Sequence, residues 1–296
     1  MDLTMMNSVF SVDVEDGISI AMRDAFGKQI SQTNRVVDRT QAILDLLEKY
    51  QVKGTFFTLG QVAEKFPELI KKIAYQGHEL GVHGYDHWQF FKMTPDKAFD
   101  ELSRAKKLIE DLSGQQVFGH RAPAFSIFPE TKWGLDVIAE AGFTYDSSVM
   151  PCKGGRYGWE NFPKDMVKVE TPKGHTLIEV PMTVDKVFGK EIPVCGGGYL
   201  RLFPAWFTHK SFQRIAKIRP VIVYMHPYEV DRERYPDFYF DELKKSSMTK
   251  NLKMRSFWIK RNTVYPKLES LVKTYKFVTM KNLIDTTQVM NTFRVN

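Results

Sequence analysis

Two cysteines in 296 residues, Cys152 and Cys195, are too few and too far apart in sequence for a disulfide framework or a zinc ribbon. They read as free thiols in a reducing compartment. No run of about 18 apolar residues exists, which excludes a spanning helix. The opening MDLTMMNS offers neither a basic n-region nor an apolar h-region, so the expected location is cytoplasmic. The glycine-rich GGGY at Gly196–Tyr199 lacks the GK[ST] of a phosphate loop and the spacing of a dinucleotide fingerprint. It reads instead as a tight turn or a close backbone approach. Low-complexity segments and internal repeats are also missing, and no nucleic-acid-binding motif occurs.

What remains is an ordinary globular composition, 43% hydrophobic and 26% charged. The length suits one α/β barrel with insertions better than two domains. Apolar residues at Val36, Ile43, Leu44 and Leu47 have helical spacing and are followed by the strand-like GTFFTLG, a helix over 62–75 and the strand HELGVH. Thr94 as N-cap and Pro95 at the first helical position open a helix through Leu112. Then come FGHRAP, a helix over 131–141 stopped by Gly142, the strand FTYDSS, and later a helix over 264–275 with the strand KFVTM. Such alternation predicts parallel strands under right-handed crossovers. Between 150 and 204 it gives way to Gly/Pro-rich hairpins, including HTLIEVPMTV, expected to form a lid or cleft wall. Residues 231–260 read as a basic insertion. One domain over 1–296 is the expectation.

The polar residues are concentrated where strands should end. His83 and His87 stand four apart in GHELGVHGYDHW, and on one helical turn both imidazoles would reach one divalent ion at about 2.0–2.1 Å. A third ligand must come from elsewhere, and SVDVEDG supplies Asp13, Glu15 and Asp16 after an apolar run. GHRAPAF places Arg121 beside Pro123, and VIVYMHPYEV places His226 just after another apolar run. Four polar constellations at strand ends, each opening a loop, are what a barrel active site looks like in one dimension.

In that order and at those spacings, the chain resembles the NodB-type polysaccharide deacetylases, metal-dependent sugar N-deacetylases on a distorted seven-stranded β/α barrel. SVDVEDG stands where that family has TFDDG, HGYDH where it has H-S/T-x-x-H, RAPAF for R-x-P-Y, YDSS near its aspartate/tryptophan motif, and YMHP for L-x-H. The resemblance runs from about Val9 to Ile284. DVED, YDSS and VCGGGYLRLFP most resemble a branch found with bacterial exopolysaccharide loci. Three departures stand out. Ala124 occupies the position of the tyrosine after the proline, Gly84 replaces the hydroxyl residue after the first histidine, and the adjacent aspartates are spread into Asp-Val-Glu-Asp. The strand period of two puts Asp13 and Glu15 on one face, whereas a strand ending earlier would let Asp16 turn inward. The third ligand is therefore Glu15 or Asp16, with Asp16 favoured and Asp13 taken as the base.

The resemblance implies one divalent ion, zinc by expectation, on His83, His87 and that acid. It further implies Asp13 as general base, His226 as general acid, Arg121 as the cation holding Asp13 ionised, and Asp146 as a partner of Arg121 or His226. Pro123, Trp88, Gly198 and Tyr199 are the expected substrate contacts. The expected substrate is an N-acetylated amino sugar of a bacterial envelope polysaccharide or its carrier-linked precursor. Alternatives are a metal-free amidohydrolase on the same barrel and a non-catalytic glycan-binding protein. The net charge of +7 is densest in Lys244–Arg261, which is either a solvated helix face or a surface for anionic lipid or a diphosphate-linked glycan. A peripheral contact at the inner membrane face is thus an expectation, and nucleic acid is not.

Overall fold

Ser8–Val14 (β1) is buried at every position, as expected of a strand with neighbours on both edges and layers on both faces. The structure is a computed structural model describing residues 6–154 and 157–295. The first five residues of MDLTMMNS, and residues 155–156 of the hairpin region, fall outside the described residues. Beyond β1 the strands are Thr55–Thr58 (β2), Glu79–Val82 (β3), Gly119–His120 (β4), Tyr145–Asp146 (β5), Val167–Glu170 (β6), Thr176–Glu179 (β7), Val184–Val187 (β8), Lys190–Pro193 (β9), Ile222–Met225 (β10), Phe277–Val278 (β11) and Thr292–Arg294 (β12).

The main sheet runs β10-β1-β2-β3-β4-β5-β7-β6-β12, with β11 pairing β1 from off the path. From β10 to β7 every pairing is parallel, giving the seven strands of a distorted β/α barrel. Among the described residues no ladder joins β7 to β10. There the Ile222 amide donates to Thr183 Oγ1 at 2.7 Å, and Gly196 forms a lone parallel bridge with Tyr224. The added Cβ of any other residue at Gly196 would fall 2.0 Å from the Tyr224 ring, so this close approach requires glycine.

Alternation along β1 sets the two layers. Phe10, Val12 and Val14 belong to the core shared with the surrounding helices, while Val9 joins the barrel interior with Phe57, Tyr145, Ile222 and Tyr224. Ser11 and Asp13 follow Val9 on that inner face. Because the barrel strands are parallel, their C-terminal ends share one rim, and the residues after β1, β3, β4, β5 and β10 meet there.

Two expectations change. The helix over 62–75 is broken into Gly60–Lys65 and Pro67–Tyr75, because Pro67 drives Phe66 out of the helical region to φ −126°, ψ 62°. HTLIEVPMTV is not wholly lid: it contains β7, a barrel strand whose Tyr145↔Ile178 register with β5 is parallel. Its Pro181 lies past the strand end, where no ladder bond is lost. Among the described residues only β8 and β9 make a separate hairpin. The basic stretch folds into helices Asp237–Lys245 and Met248–Ser256, and Tyr235, Tyr239 and Leu243 pack on Ile18 and Met22 of helix Gly17–Phe26.

Candidate active site

Glu15, His83 and His87 converge at the rim, with a ligand atom from each within 4.8 Å of the others and all three side chains buried. Glu15 Oε2 is 2.8 Å from His87 Nε2 and 3.4 Å from His83 Nε2. The same oxygen has no hydrogen bond of proper geometry among the described residues. His83 Nδ1 lies 2.8 Å from the Arg121 carbonyl oxygen, a contact only an Nδ1–H can make, which leaves the Nε2 lone pair facing Glu15. A buried, orphaned carboxylate oxygen facing two imidazole nitrogens is the donor set of a divalent metal ion, so the residues fit the expected ion.

The histidine pair is not on a helix, contrary to the one-turn reading. Both follow β3 in a loop whose backbone enters the left-handed region at Gly84 (φ 80°) and again at His87 (φ 60°). The ring centroids are 5.3 Å apart. Gly84 is thus explained by the turn: any side chain there would be strained, and its Cβ would press on Pro123 at 3.4 Å. Arg23 secures the far end of the loop, donating to the Asp86 carbonyl and to the His87 carbonyl at 3.1 Å, and approaching His87 Nδ1 at 3.3 Å.

The choice between the two acids goes against Asp16. Although β1 ends at Val14, the period of two carries one residue further and turns Glu15 inward behind Asp13. Asp16 instead caps helix Gly17–Phe26: its Oδ1 accepts from the Ile18 amide at 3.0 Å and its Oδ2 from the Thr33 amide. Burial pushes its carboxyl up despite those donors. For Glu15 burial also opposes ionisation, but the imidazoles of His87, His226 and His83 outweigh it and hold the carboxyl well below the usual range.

Asp13 sits 2.8 Å from Arg121 Nη1 through Oδ1, both fully buried. Arg121 is fixed in turn by Ser11 Oγ at 2.8 Å, the Ser147 carbonyl at 3.1 Å and Ser147 Oγ at 3.0 Å, and it lies 4.2 Å over the Phe57 ring. Asp13 Oδ2 faces the cleft, 3.8 Å from His226 Nε2. His226 Nε2 is also 3.7 Å from Glu15 Oε1, its Nδ1 is 3.3 Å from Glu229 Oε2, and its ring stacks on Tyr228 at 4.8 Å. Burial would depress the imidazole, but Glu15, Glu229 and Asp13 together raise it to about 9.

Asp146 contacts neither Arg121 nor His226. Its Oδ1 meets His120 Nδ1 at 2.8 Å and Ser148 Oγ at 2.7 Å, and its neighbour Glu179 is pushed well up by burial and by the Asp146 charge. Glu179 Oε1 accepts from the Ser148 and Val149 amides at 3.1 and 2.8 Å, so the acid pair acts on the loop that holds Arg121 rather than on the cleft. Of the expected substrate contacts, Trp88 lies half-buried beside His87 with Arg23, Lys97 and Lys92 at 4.7, 5.2 and 5.7 Å from its ring. Pro123 is buried against Gly84, while Gly198 and Tyr199 lie in the first turn of helix Gly197–Leu202, whose Gly197 abuts the Tyr224 ring, with Phe203 6.0 Å from Tyr199.

Glu229, Arg23, Ser11 and Ser147 join the site without standing out in the sequence. Glu229 alone has a local signal: Pro at the first position of a 3-10 turn with Glu at the third is a capping pattern, and Glu229 Oε2 accepts from the His226 amide at 3.1 Å.

Residues 29–145 match the family described as "Polysaccharide deacetylase", and residues 147–285 match a domain of unknown function, DUF3473. A peptidoglycan-N-acetylglucosamine deacetylase of Bacillus cereus is 30% identical over 185 residues, covering 58% of this chain and 65% of the relative. A peptidoglycan deacetylase of Helicobacter pylori is 36% identical over 108 residues, 36% of each chain. The chain thus spans less than two thirds of the length of these curated relatives. The crystal structure of a Mycobacterium smegmatis protein assigned as a polysaccharide deacetylase superposes with a TM-score of 0.57 at 20% identity, covering 89% of this chain and 93% of that one, and so shares the fold.

Proposed function

We infer that this chain, which belongs to the polysaccharide deacetylase family, hydrolyses the N-acetyl group of an amino sugar with a divalent metal ion held by Glu15, His83 and His87. The observation that carries the reading is the orphaned Glu15 oxygen opposite two imidazole nitrogens, set beside an Arg-clamped aspartate and a cationic histidine whose Oδ2 and Nε2 lie 3.8 Å apart.

Each residue then has a task. A cation in that site supplies the polarisation that makes water nucleophilic near neutral pH and draws charge from the acyl oxygen. Asp13 presents only Oδ2 to the cleft, since Oδ1 is engaged by Arg121, and it takes the proton as the water oxygen bonds to the acyl carbon. His226, held through Nδ1 by Glu229, aims Nε2 into the cleft and returns a proton to the nitrogen as the C–N bond breaks, releasing acetate and the free amine. Arg121 fixes Asp13 in place by donating from Nη1 to Oδ1. Asp16 anchors Thr33, which lines an open cleft of about 420 Å³ with Gln32, Asn34, Lys65 and Phe238.

An envelope polysaccharide or its carrier-linked precursor is the favoured substrate, a reading supported by the peptidoglycan deacetylases of Bacillus cereus and Helicobacter pylori among the relatives. Zinc is the favoured ion for two imidazoles and one carboxylate. The test is elemental analysis of purified protein together with acetate release from a panel of N-acetylated saccharides and carrier-linked sugars. About one divalent ion per chain, lost in His83→Ala/His87→Ala together with acetate release, is expected. Metal retained in that double variant would sink the site assignment, and metal binding without acetate release from any N-acetylated substrate would sink the reaction.

A further inference from the structure

Helix Met248–Ser256 and the turn after it present apolar side chains on two opposite faces, and only one is needed for folding. On the inner face Met254 and Trp258 join the cluster around Tyr239, with the Trp258 ring 4.4 Å from Tyr235 and the Arg261 guanidinium 4.2 Å over Trp258. On the outer face Met248, Leu252 and Ile259 recur at helical spacing and are 77%, 61% and 52% exposed. Arg201 donates to the Phe257 carbonyl, and Lys260 Nζ donates to the Leu202 carbonyl at 3.2 Å. Those bonds bring up exposed Leu202, and Trp206, 67% exposed, follows it at the start of helix Ala205–Ala216.

From Leu243 to Leu268 the charged side chains have one sign. Lys244, Lys245, Lys250, Arg255 and Lys260 are all exposed, and no acid occurs in the sequence between Glu242 and Glu269. Of these five, only Lys244 and Lys245 have carboxylate partners among the described residues, at Asp241 and Glu242, and exposed pairs of that kind exchange readily with another anion. We propose that residues 202–206 and 248–260 form a docking face for an anionic phospholipid bilayer. Isolated exposed leucines need no explanation, but an aromatic and four aliphatic side chains beside five exposed cations do. A protein partner would favour fewer lysines at the centre, and a soluble polyanion gains nothing from Trp206, Leu252 or Ile259. An anionic membrane uses both: cations meet the lipid phosphates while the apolar tips enter the headgroup boundary.

The face also lies beside the chemistry. Arg261, at the end of the segment, is 5.7 Å from the Tyr228 ring that stacks on His226. The inference stands apart from the hydrolysis reading, because it uses none of the cleft residues.

Co-sedimentation with large unilamellar vesicles tests it. The protein should associate with phosphatidylcholine vesicles carrying one-third phosphatidylglycerol, weakly with phosphatidylcholine alone, and progressively less as salt rises. Lys250→Gln and Arg255→Gln should each weaken association about fivefold. Trp206→Ser/Ile259→Ser should weaken it at every salt concentration while leaving the melting temperature unchanged, because both sites are exposed. No association with the anionic vesicles overturns the proposal. Binding that follows the cations but ignores Trp206→Ser/Ile259→Ser would reduce the face to a general polyanion surface and also overturn it, as would a solution dimer that the same double variant dissociates.

Discussion

Exchanging one carboxylate for an amide at each of two adjacent positions separates metal binding from helix capping. In Glu15→Gln the Oε2 that faces His83 and His87 at 3.4 and 2.8 Å becomes a poor, neutral ligand or an amide NH₂. Metal affinity should fall by more than the roughly 10–100-fold typical of losing a mere supporting partner of a ligand. In Asp16→Asn the opposite pattern is expected. One of its two acceptor oxygens becomes a donor pointing at an amide N–H, either that of Ile18 or that of Thr33. The loss is about 1–3 kcal/mol of stability, the range for a misplaced buried hydrogen bond at a helix cap.

The assay is dialysis against a metal buffer and then elemental analysis, with urea melts of both variants. Glu15→Gln should lose the ion at a free concentration that saturates the wild type, and Asp16→Asn should keep it while melting at lower urea. If Asp16→Asn is the variant that sheds metal and Glu15→Gln holds it, the inward turn of Glu15 is refuted. If both shed metal equally, the Thr33 anchor and the ligand cluster are one cooperative unit, and the separation drawn between them fails.

Two other histidines give separate tests. His226→Ala should keep metal and fold but lose about 10²–10⁴ in kcat on an amide, and less on an activated acetate ester whose leaving group needs no proton; equal losses on both would make His226 a positioning residue. His78 is buried, accepts the Gly54 amide at 3.1 Å through Nδ1, and is lowered to about 4 by burial and then by Lys53. Its folded value lies below the ordinary one, so the unfolded chain takes the proton first, and stability that is full above pH ~6.5 is lost as pH falls toward 4, on the order of 3 kcal/mol. Urea melts of His78→Asn should show a flatter acid limb by about that amount, and parallel acid limbs would refute the assignment.

The rim of the barrel was legible in the sequence because parallel strands place their C-terminal residues at one end whatever the loops do. His83, Arg121 and His226 needed only the apolar run before each of them, and so did Asp13 within β1. Backbone beyond a strand end is harder to read, because its path depends on single dihedrals. The four-residue spacing of His83 and His87 suggests a helix, yet two left-handed residues in a loop bring the rings to the same ion. The Glu15/Asp16 choice turns on whether the pleat persists one residue beyond the last ladder bond, and no local pattern reports that.

Pairings over long sequence distances account for the remaining differences. The family pattern sets Asp146 near cleft motifs, but β4 and β5 place His120 opposite it in register, and the imidazole takes its Oδ1. With Glu179 pressed against it from β7, Asp146 belongs to a buried acid pair two contacts behind Asp13. The chain of support then runs from Glu179 through the Ser148 amide to the Ser147 oxygens, to Arg121, and to Asp13. The stretch expected to form a lid therefore anchors the base, because its β7 is the strand that closes the acid pair behind Arg121.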